Sequence, residues 1–223
     1  MELGRNSVIK GFRSSRKTTL ARGYVVWCTL YRKKRYIVVQ SFEDTLSAAW
    51  VHQVAKMLFE ESIIRDYGII FPLEVKKEDL TKRSLSNFET TNGVKIESKS
   101  LGQTLRGANI YVRGEGAMRP DLLILDDLDT EKSVKNVEII DETERKVKGE
   151  TIGAMDIETA QIVFLANVIN EDGVAPRFEK AFKGQKGWDV YNQPLLLPDG
   201  TNVWEEVFTP EIVAKLRISY GIT

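Results

Sequence analysis

Two short stretches of this chain hold residue types at spacings that could do chemistry. One is GFRSSRKTT, residues 11–19; the other is RPDLLILDDLD, residues 119–129. The first follows the pattern G-x-x-x-x-G-K-[ST] at Gly11, Lys17 and Thr18, with Arg16 where the second glycine belongs. In a loop of this kind, backbone N–H groups wrap phosphate oxygens and the next helix aims its N-terminus at them. Lys17 then reaches the β- and γ-phosphates, and the Thr18 hydroxyl holds Mg²⁺. The candidate nucleotide cradle is therefore Gly11, Phe12, Arg13, Ser14, Ser15, Arg16, Lys17, Thr18 and Thr19. Arg16 is a departure, because glycine is favoured where φ is positive and the backbone must come close to a ligand. The competing reading is a basic, serine-rich turn before a helix.

The second stretch places four apolar residues, Leu122 to Leu125, before Asp126 and Asp127. A continuous apolar run suits a central parallel strand covered on both faces. Ligands of open α/β sheets sit beyond the carboxyl ends of the strands, which is where both aspartates would emerge. Asp126 is then the acid for Mg²⁺, and Asp127 the one that orients and polarises a water. Asp127 and Asp129 are also good helix caps, a reading compatible with catalysis. The two stretches together point to ATP bound with Mg²⁺ and hydrolysed.

The surrounding sequence supplies elements to position them. Residues 6–10 read as a buried strand. Residues 18–30 read as a helix, with Leu20, Ala21, Tyr24, Val25 and Cys28 at helical spacing. Residues 36–40 read as a second strand. Residues 44–67 read as one long amphipathic helix burying Leu46, Trp50, Val54, Met57, Leu58 and Ile64, capped by Gly68 and followed by Pro72. Asn92-Gly93 marks a hairpin between residues 87–91 and 94–98. Glycines 102, 107, 114 and 116 make a flexible approach to the acidic strand. Residues 130–149 read as a charged helix, 161–166 as a strand, and 210–220 as a last helix after a turn-rich segment around Pro194, Pro198 and Asp199-Gly200. Strands alternating with helices predict a mostly parallel sheet with helices on both faces.

Composition narrows the class. At 223 residues, one α/β domain over residues 1–223 is the natural count. A single cysteine, Cys28, excludes an internal disulfide and reads as a small buried residue. No run of some eighteen apolar residues exists, so no membrane span is expected. The formal net charge is zero, but residues 1–35 hold ten Lys or Arg against one acid, and residues 121–172 hold fourteen acids against five bases. A basic end can serve the phosphates of ATP or DNA. The run Arg32-Lys33-Lys34-Arg35 reads first as a solvated turn after a helix. His52, the lone histidine, reads as a surface residue.

In order and spacing, these segments resemble the ATPase half of a large terminase, the DNA-packaging motor of tailed bacteriophages. The resemblance runs through GFRSSRKTTLA, KRYIVVQSFEDTLSAAWVHQVAKML, the LRG at 105–107, RPDLLILDDLDTEKSV, QIVFLAN and VWEEVFTPEIVAKLR. It implies a RecA-like (ASCE) P-loop fold with an added β-hairpin near residues 87–98. It implies that Lys17 and Thr18 serve phosphate and magnesium, that Asp126 is the metal acid, and that Asp127 stands at the catalytic carboxylate, usually a glutamate. Arg13, four residues before the lysine, matches an arginine that acts on the γ-phosphate in cis. Asn167 matches the coupling position that senses the γ-phosphate, a role its amide suits because it both donates and accepts. The adenine-clamping segment of the family lies upstream of the loop, where only ten residues stand here. The implied partners are double-stranded viral DNA, a portal protein, a small terminase subunit, a nuclease domain in cis or trans, and copies of the chain in a ring on the portal. The implied location is the cytoplasm of the infected bacterial host, with no membrane. The family's nuclease domain is not expected within residues 1–223. Arg106 and Arg119, expected in loops near the active edge, are candidates for an arginine supplied to a neighbour. Two other readings stay open: a RecA-like, helicase-type ATPase, and a nucleotide-binding module with a degraded loop.

Overall fold

A computed structural model describes residues 1, 4–71, 85–112, 115–130, 133–167 and 172–219. Its centre is a seven-stranded sheet. The strands are β1 (Asn6–Gly11), β2 (Tyr36–Ser41), β3 (Asn87–Glu89), β4 (Lys95–Ser100), β7 (Leu122–Asp126), β8 (Gln161–Ala166) and β9 (Trp188–Gln193), in the order β3-β4-β2-β7-β8-β1-β9. Every pairing is parallel except β3 with β4. The short strands β5 (Ile110–Val112) and β6 (Gly116–Met118) form a separate antiparallel pair. β8 lies between β1 and β7, so one strand separates the loop-bearing strand from the acidic one, as the RecA-like expectation requires.

Helices cover both faces. They are α1 (Lys17–Leu30), α2 (Asp44–Leu58), α3 (Glu61–Tyr67), α4 (Val137–Arg145), α5 (Val174–Phe182) and α6 (Pro210–Ser219). Ile37, Val39, Leu122, Ile124, Val163 and Leu165 point to the face under α1 and α2. Val38, Leu123, Leu125, Ile162 and Phe164 point to the other, under Ile140 of α4 and Phe178 of α5. The apolar run at residues 122–125 is thus explained by burial on both sides. Cys28 is buried, as its small apolar character suggests. No helix among the described residues is long and apolar enough to cross a membrane.

Four local expectations need correction. The helix read over residues 44–67 breaks at Phe59-Glu60. The Phe59 N–H still bonds Ala55 and Lys56 carbonyls, but Glu60 is extended, with φ −63° and ψ 140°. The break lets Phe59 turn inward and stack on Phe71, ring centroids 4.3 Å apart. Leu46, placed on the buried side, is exposed in the first turn of α2. The charged helix read over 130–149 is instead a 3₁₀ turn (Ser133–Lys135), then α4, then a π-helical turn (Lys146–Thr151). Thr130 and Ser133 bond each other's backbone and side chains, and Asn136 caps α4 by accepting the N–H groups of Glu138 and Ile139, so the helix begins late. Lys34 is not solvated: it is buried and donates to the Thr159 carbonyl at 2.6 Å, near the buried Asp121 that accepts the Arg35 and Tyr36 N–H groups.

The hairpin at Asn92-Gly93 forms as read, with Gly93 at φ 76°. Gly68 caps α3. His52 is half-buried on α2 and accepts the Leu85 N–H. Pro72, Gly114 and Tyr220 lie outside the described residues.

Candidate nucleotide site

The site begins where β1 ends. Gly11 closes the strand, the Ser15 N–H bonds the Phe12 carbonyl, and α1 opens with the Leu20 N–H on the Arg16 carbonyl. Two residues of the loop have positive φ: Ser14 at 69° and Arg16 at 64°. Arg16 is the N-cap of α1 in the left-handed conformation. That conformation costs a non-glycine residue about 1–2 kcal/mol. The sequence pattern wants glycine at position 16 for this reason, and the loop takes the bend with an arginine there. At Gly11 the constraint is space rather than φ. A Cβ would lie 3.0 Å from Ser15 Oγ and 3.2 Å from Lys17 Cδ.

Lys17 folds back across the loop. Its Nζ donates to Asn167 Oδ1 at 2.8 Å and lies 3.1 Å from the Gly11 carbonyl, 3.2 Å from that of Phe12 and 3.2 Å from Ser15 Oγ. Burial lowers its pKa, while Asp127 and Asp126 oppose that shift. Asn167 follows directly on β8, and its Nδ2 donates to Asp127 Oδ1 at 3.2 Å. Asp127 has φ 49°, a left-handed turn that ends the β7 run. Loop lysine, strand-end amide and second acid therefore form one hydrogen-bonded chain.

Asp126 is 6 % exposed at the end of β7. Its Oδ2 accepts the Thr18 hydroxyl at 3.1 Å and the Trp50 indole N–H at 3.0 Å. Burial, and then the charge of Asp127, push its pKa up to about 6. Both hydrogen bonds recorded among the described residues fall on Oδ2, which leaves Oδ1 for another ligand. No group of three or more His, Cys, Asp or Glu is placed to hold a metal ion among the described residues. A magnesium ion here would rest on Asp126, the Thr18 hydroxyl, phosphate oxygens and water. That set fits the ion's preference for few protein ligands and retained water.

A cavity of about 390 Å³ opens at this edge, lined by residues 14–19, Asn167, Val207 and Phe208. Arg16 lines it. Arg13 lines a neighbouring cavity of about 370 Å³ with Phe12, Ser14, Leu196, Phe208 and Leu216. Asp129 does a different job: its carboxylate accepts the Val174 and Ala175 N–H groups and so caps α5.

Sequence reasoning read Trp50 only as core and overlooked Val207 and Phe208. Trp50 reaches Asp126 from α2 across a long sequence separation, and no motif marks it. Arg22, also overlooked, lies over the Trp50 ring at 5.4 Å. Arg106 and Arg119, expected near the active edge, do not line the loop cavity. Both line a separate cavity of about 250 Å³ with Glu150, and that cavity shares no lining residue with the loop cavity. Arg119 precedes β7 while Asp126 ends it, so the strand itself separates them.

No protein-family model and no curated protein sequence matches the chain. Among solved structures, it is similar to the HK97 bacteriophage large terminase, with a TM-score of 0.49 and 13% identity over 97% of this chain and 44% of that one. It is also similar to the phi-28 gp11 DNA packaging motor, with a TM-score of 0.43 and 9% identity over 96% of this chain and 62% of that one. The chain thus spans less than half the length of the first of these proteins.

Proposed function

We propose that this chain binds ATP with Mg²⁺ at the Gly11–Thr19 loop and hydrolyses it to drive double-stranded viral DNA into a procapsid, as the ATPase part of a packaging motor. The observation that carries the hydrolysis reading is the convergence of Lys17, Thr18, Asp126, Asp127 and Asn167 on one sheet edge through three hydrogen bonds, Lys17–Asn167, Asn167–Asp127 and Thr18–Asp126. Core packing alone gives the start of α1 and the end of β7 no reason to deliver a lysine, a hydroxyl and two acids to one point.

Phosphoryl transfer is mostly positioning and charge stabilisation. Lys17, released from the loop carbonyls, binds the β- and γ-phosphate oxygens. Asp127 accepts a hydrogen bond from the attacking water and aligns it with the γ-phosphorus. Asn167, bonded to both Lys17 and Asp127, registers whether the γ-phosphate is present. Thr18 and Asp126 are the metal-holding pair, and Trp50 keeps the Asp126 carboxylate in place. Bound Mg²⁺ would supply neutralisation of the charge that builds on the phosphate oxygens. Arg13, in the loop and lining the neighbouring cavity, is the residue for a further positive charge on the γ-phosphate.

The proposed partners are viral DNA, a portal protein, a small terminase subunit, a nuclease unit in cis or trans, and further copies of the chain in a ring on the portal. The left-handed Arg16 favours a second reading, a module that binds nucleotide without turnover. Calorimetry with Mg-ATP, followed by phosphate release, tests both. Binding with turnover that a procapsid stimulates supports the motor. Binding without turnover supports the module, and no binding removes both.

A further inference from the structure

Part of the wall of the loop cavity is made by the segment after β9. Val207 and Phe208 line it together with loop residues 14–19 and Asn167. The cavity therefore joins hydroxyls and Lys17 to two apolar side chains. Val207 is 43 % exposed, an apolar side chain beside a basic, polar loop. Nothing in the core demands it there.

Phe208 is held from several sides. Its ring meets the Phe12 ring edge-to-face, centroids 5.2 Å apart at 89°, which ties it to the end of β1. It lies 5.9 Å from the Trp204 ring, and its N–H bonds the Trp204 carbonyl at 2.9 Å. The Asn202 side-chain amide donates to the Phe208 carbonyl. An aromatic wall fixed in this way is preorganised, so little ordering remains to oppose binding. The volume, about 390 Å³, lies in the range of small-ligand sites. Such sites combine apolar walls with a few placed polar groups.

We propose that Val207 and Phe208 hold the nucleobase of the bound nucleoside triphosphate, so that the closing segment of the chain, rather than one before the loop, supplies the base site. The inference rests on the reading that residues 11–19 bind the triphosphate. The occupant follows from continuity: a ligand with its phosphates on the loop carries its flat apolar group toward the only apolar wall that lines the same cavity among the described residues. Base faces pack on aromatic and aliphatic side chains without needing a particular hydrogen-bond pattern.

Calorimetry with two ligands, Mg-ATP and Mg-tripolyphosphate, tests this on the unaltered chain, Phe208→Ala and Val207→Ser. Tripolyphosphate carries the phosphates and lacks the base. The expected result is a Kd for Mg-ATP at least tenfold weaker in Phe208→Ala and several-fold weaker in Val207→Ser, with tripolyphosphate affinity unchanged. Far-UV circular dichroism monitors folding. If Phe208→Ala does not fold, the exposed Val207→Ser decides. Unchanged Mg-ATP affinity in the folded variants overturns the base site while leaving the loop reading intact. Equal losses for both ligands also overturn it, because the segment would then act through the loop. If the unaltered chain binds neither ligand, the loop reading itself falls.

Discussion

Asn167 Oδ1 accepts a hydrogen bond from the Lys17 ammonium at 2.8 Å, so the residue that follows β8 and the residue that opens α1 are directly coupled. The same amide donates to Asp127. A change in where Lys17 points is therefore felt by the second acid through a single side chain. In the proposed cycle, phosphate draws Lys17 away from Asn167, and Asn167 relaxes around Asp127. This gives the amide a relay role that neither a strand end nor a helix cap would need.

The first prediction separates binding from chemistry at this relay. Lys17→Ala should abolish measurable Mg-ATP binding or turnover. Asp127→Asn keeps the shape and a hydrogen-bonding amide but loses the negative charge that polarises water. It should bind Mg-ATP within about threefold of the unaltered chain and lose hydrolysis by 100-fold or more, on the order of general-base contributions. Phosphate release measured alongside calorimetry checks both. Hydrolysis at the unaltered rate in Asp127→Asn would place the catalytic acid elsewhere, with Asp129 and Glu131 next to test.

Trp50 carries a second prediction. Its indole N–H is buried against the Asp126 carboxylate. Trp50→Phe removes that donor and shrinks the ring, which should cost about 2 kcal/mol of stability, since a hydrogen bond to a charged group is worth about 1.5–3 kcal/mol. A looser Asp126 should also raise the Mg²⁺ concentration needed for half-maximal turnover. A merely structural role for Trp50 predicts the stability loss with no change in the Mg²⁺ requirement.

The two loop arginines give a third. Arg16 has φ 64°, which glycine adopts freely. Arg16→Gly should therefore be neutral or stabilising, by up to about 1 kcal/mol after allowing for the entropy of glycine in the unfolded chain. For a chain of this size the shift in Tm is roughly 2–4 °C. Its Mg-ATP affinity should be at least that of the unaltered chain. Arg13→Ala should depress turnover far more than affinity. A large loss of binding in Arg16→Gly would show that the Arg16 side chain, which lines the cavity, grips the nucleotide itself.

Much of this arrangement is legible in the sequence, and the failures have physical causes. The strands at 122–125 and 161–166 are short apolar runs buried on both faces, and that signal is local. Asn92-Gly93 sets its hairpin by turn chemistry alone. The break at Phe59 is different. Helical spacing continues through residue 64, and only the stacking of Phe59 on Phe71, which in turn packs against Phe88, seen in three dimensions, ends the helix. Lys34 and Asp121 were likewise unreadable as a pair, because 87 positions separate them and burial makes their association necessary. In the site, motif residues were visible by type and spacing. Trp50, which donates to Asp126, and Val207 and Phe208, which line the cavity, were not, since sequence alone assigns such side chains to the core.

The last prediction concerns assembly. The chain has zero formal net charge, and Arg106 and Arg119 sit in a cavity away from the chain's own loop. Among the described residues, the Arg106 side chain pairs with Glu150 at 4.0 Å, a contact of small energetic worth. We expect an arginine placed there to serve the triphosphate of a neighbouring copy. Specific ATPase activity should therefore be low in dilute solution and rise with protein concentration as copies meet. Arginines supplied in trans raise phosphoryl-transfer rates by about 10³–10⁵, so even a small associated fraction should be visible. Replacing the contributing residue, Arg106→Ala or Arg119→Ala, should remove the rise while leaving Mg-ATP affinity of the isolated chain unchanged. Sedimentation run at the same concentrations links rate to association. High specific activity independent of concentration, in a chain shown to be monomeric, would mean that one copy holds a complete site and that neither arginine acts across an interface.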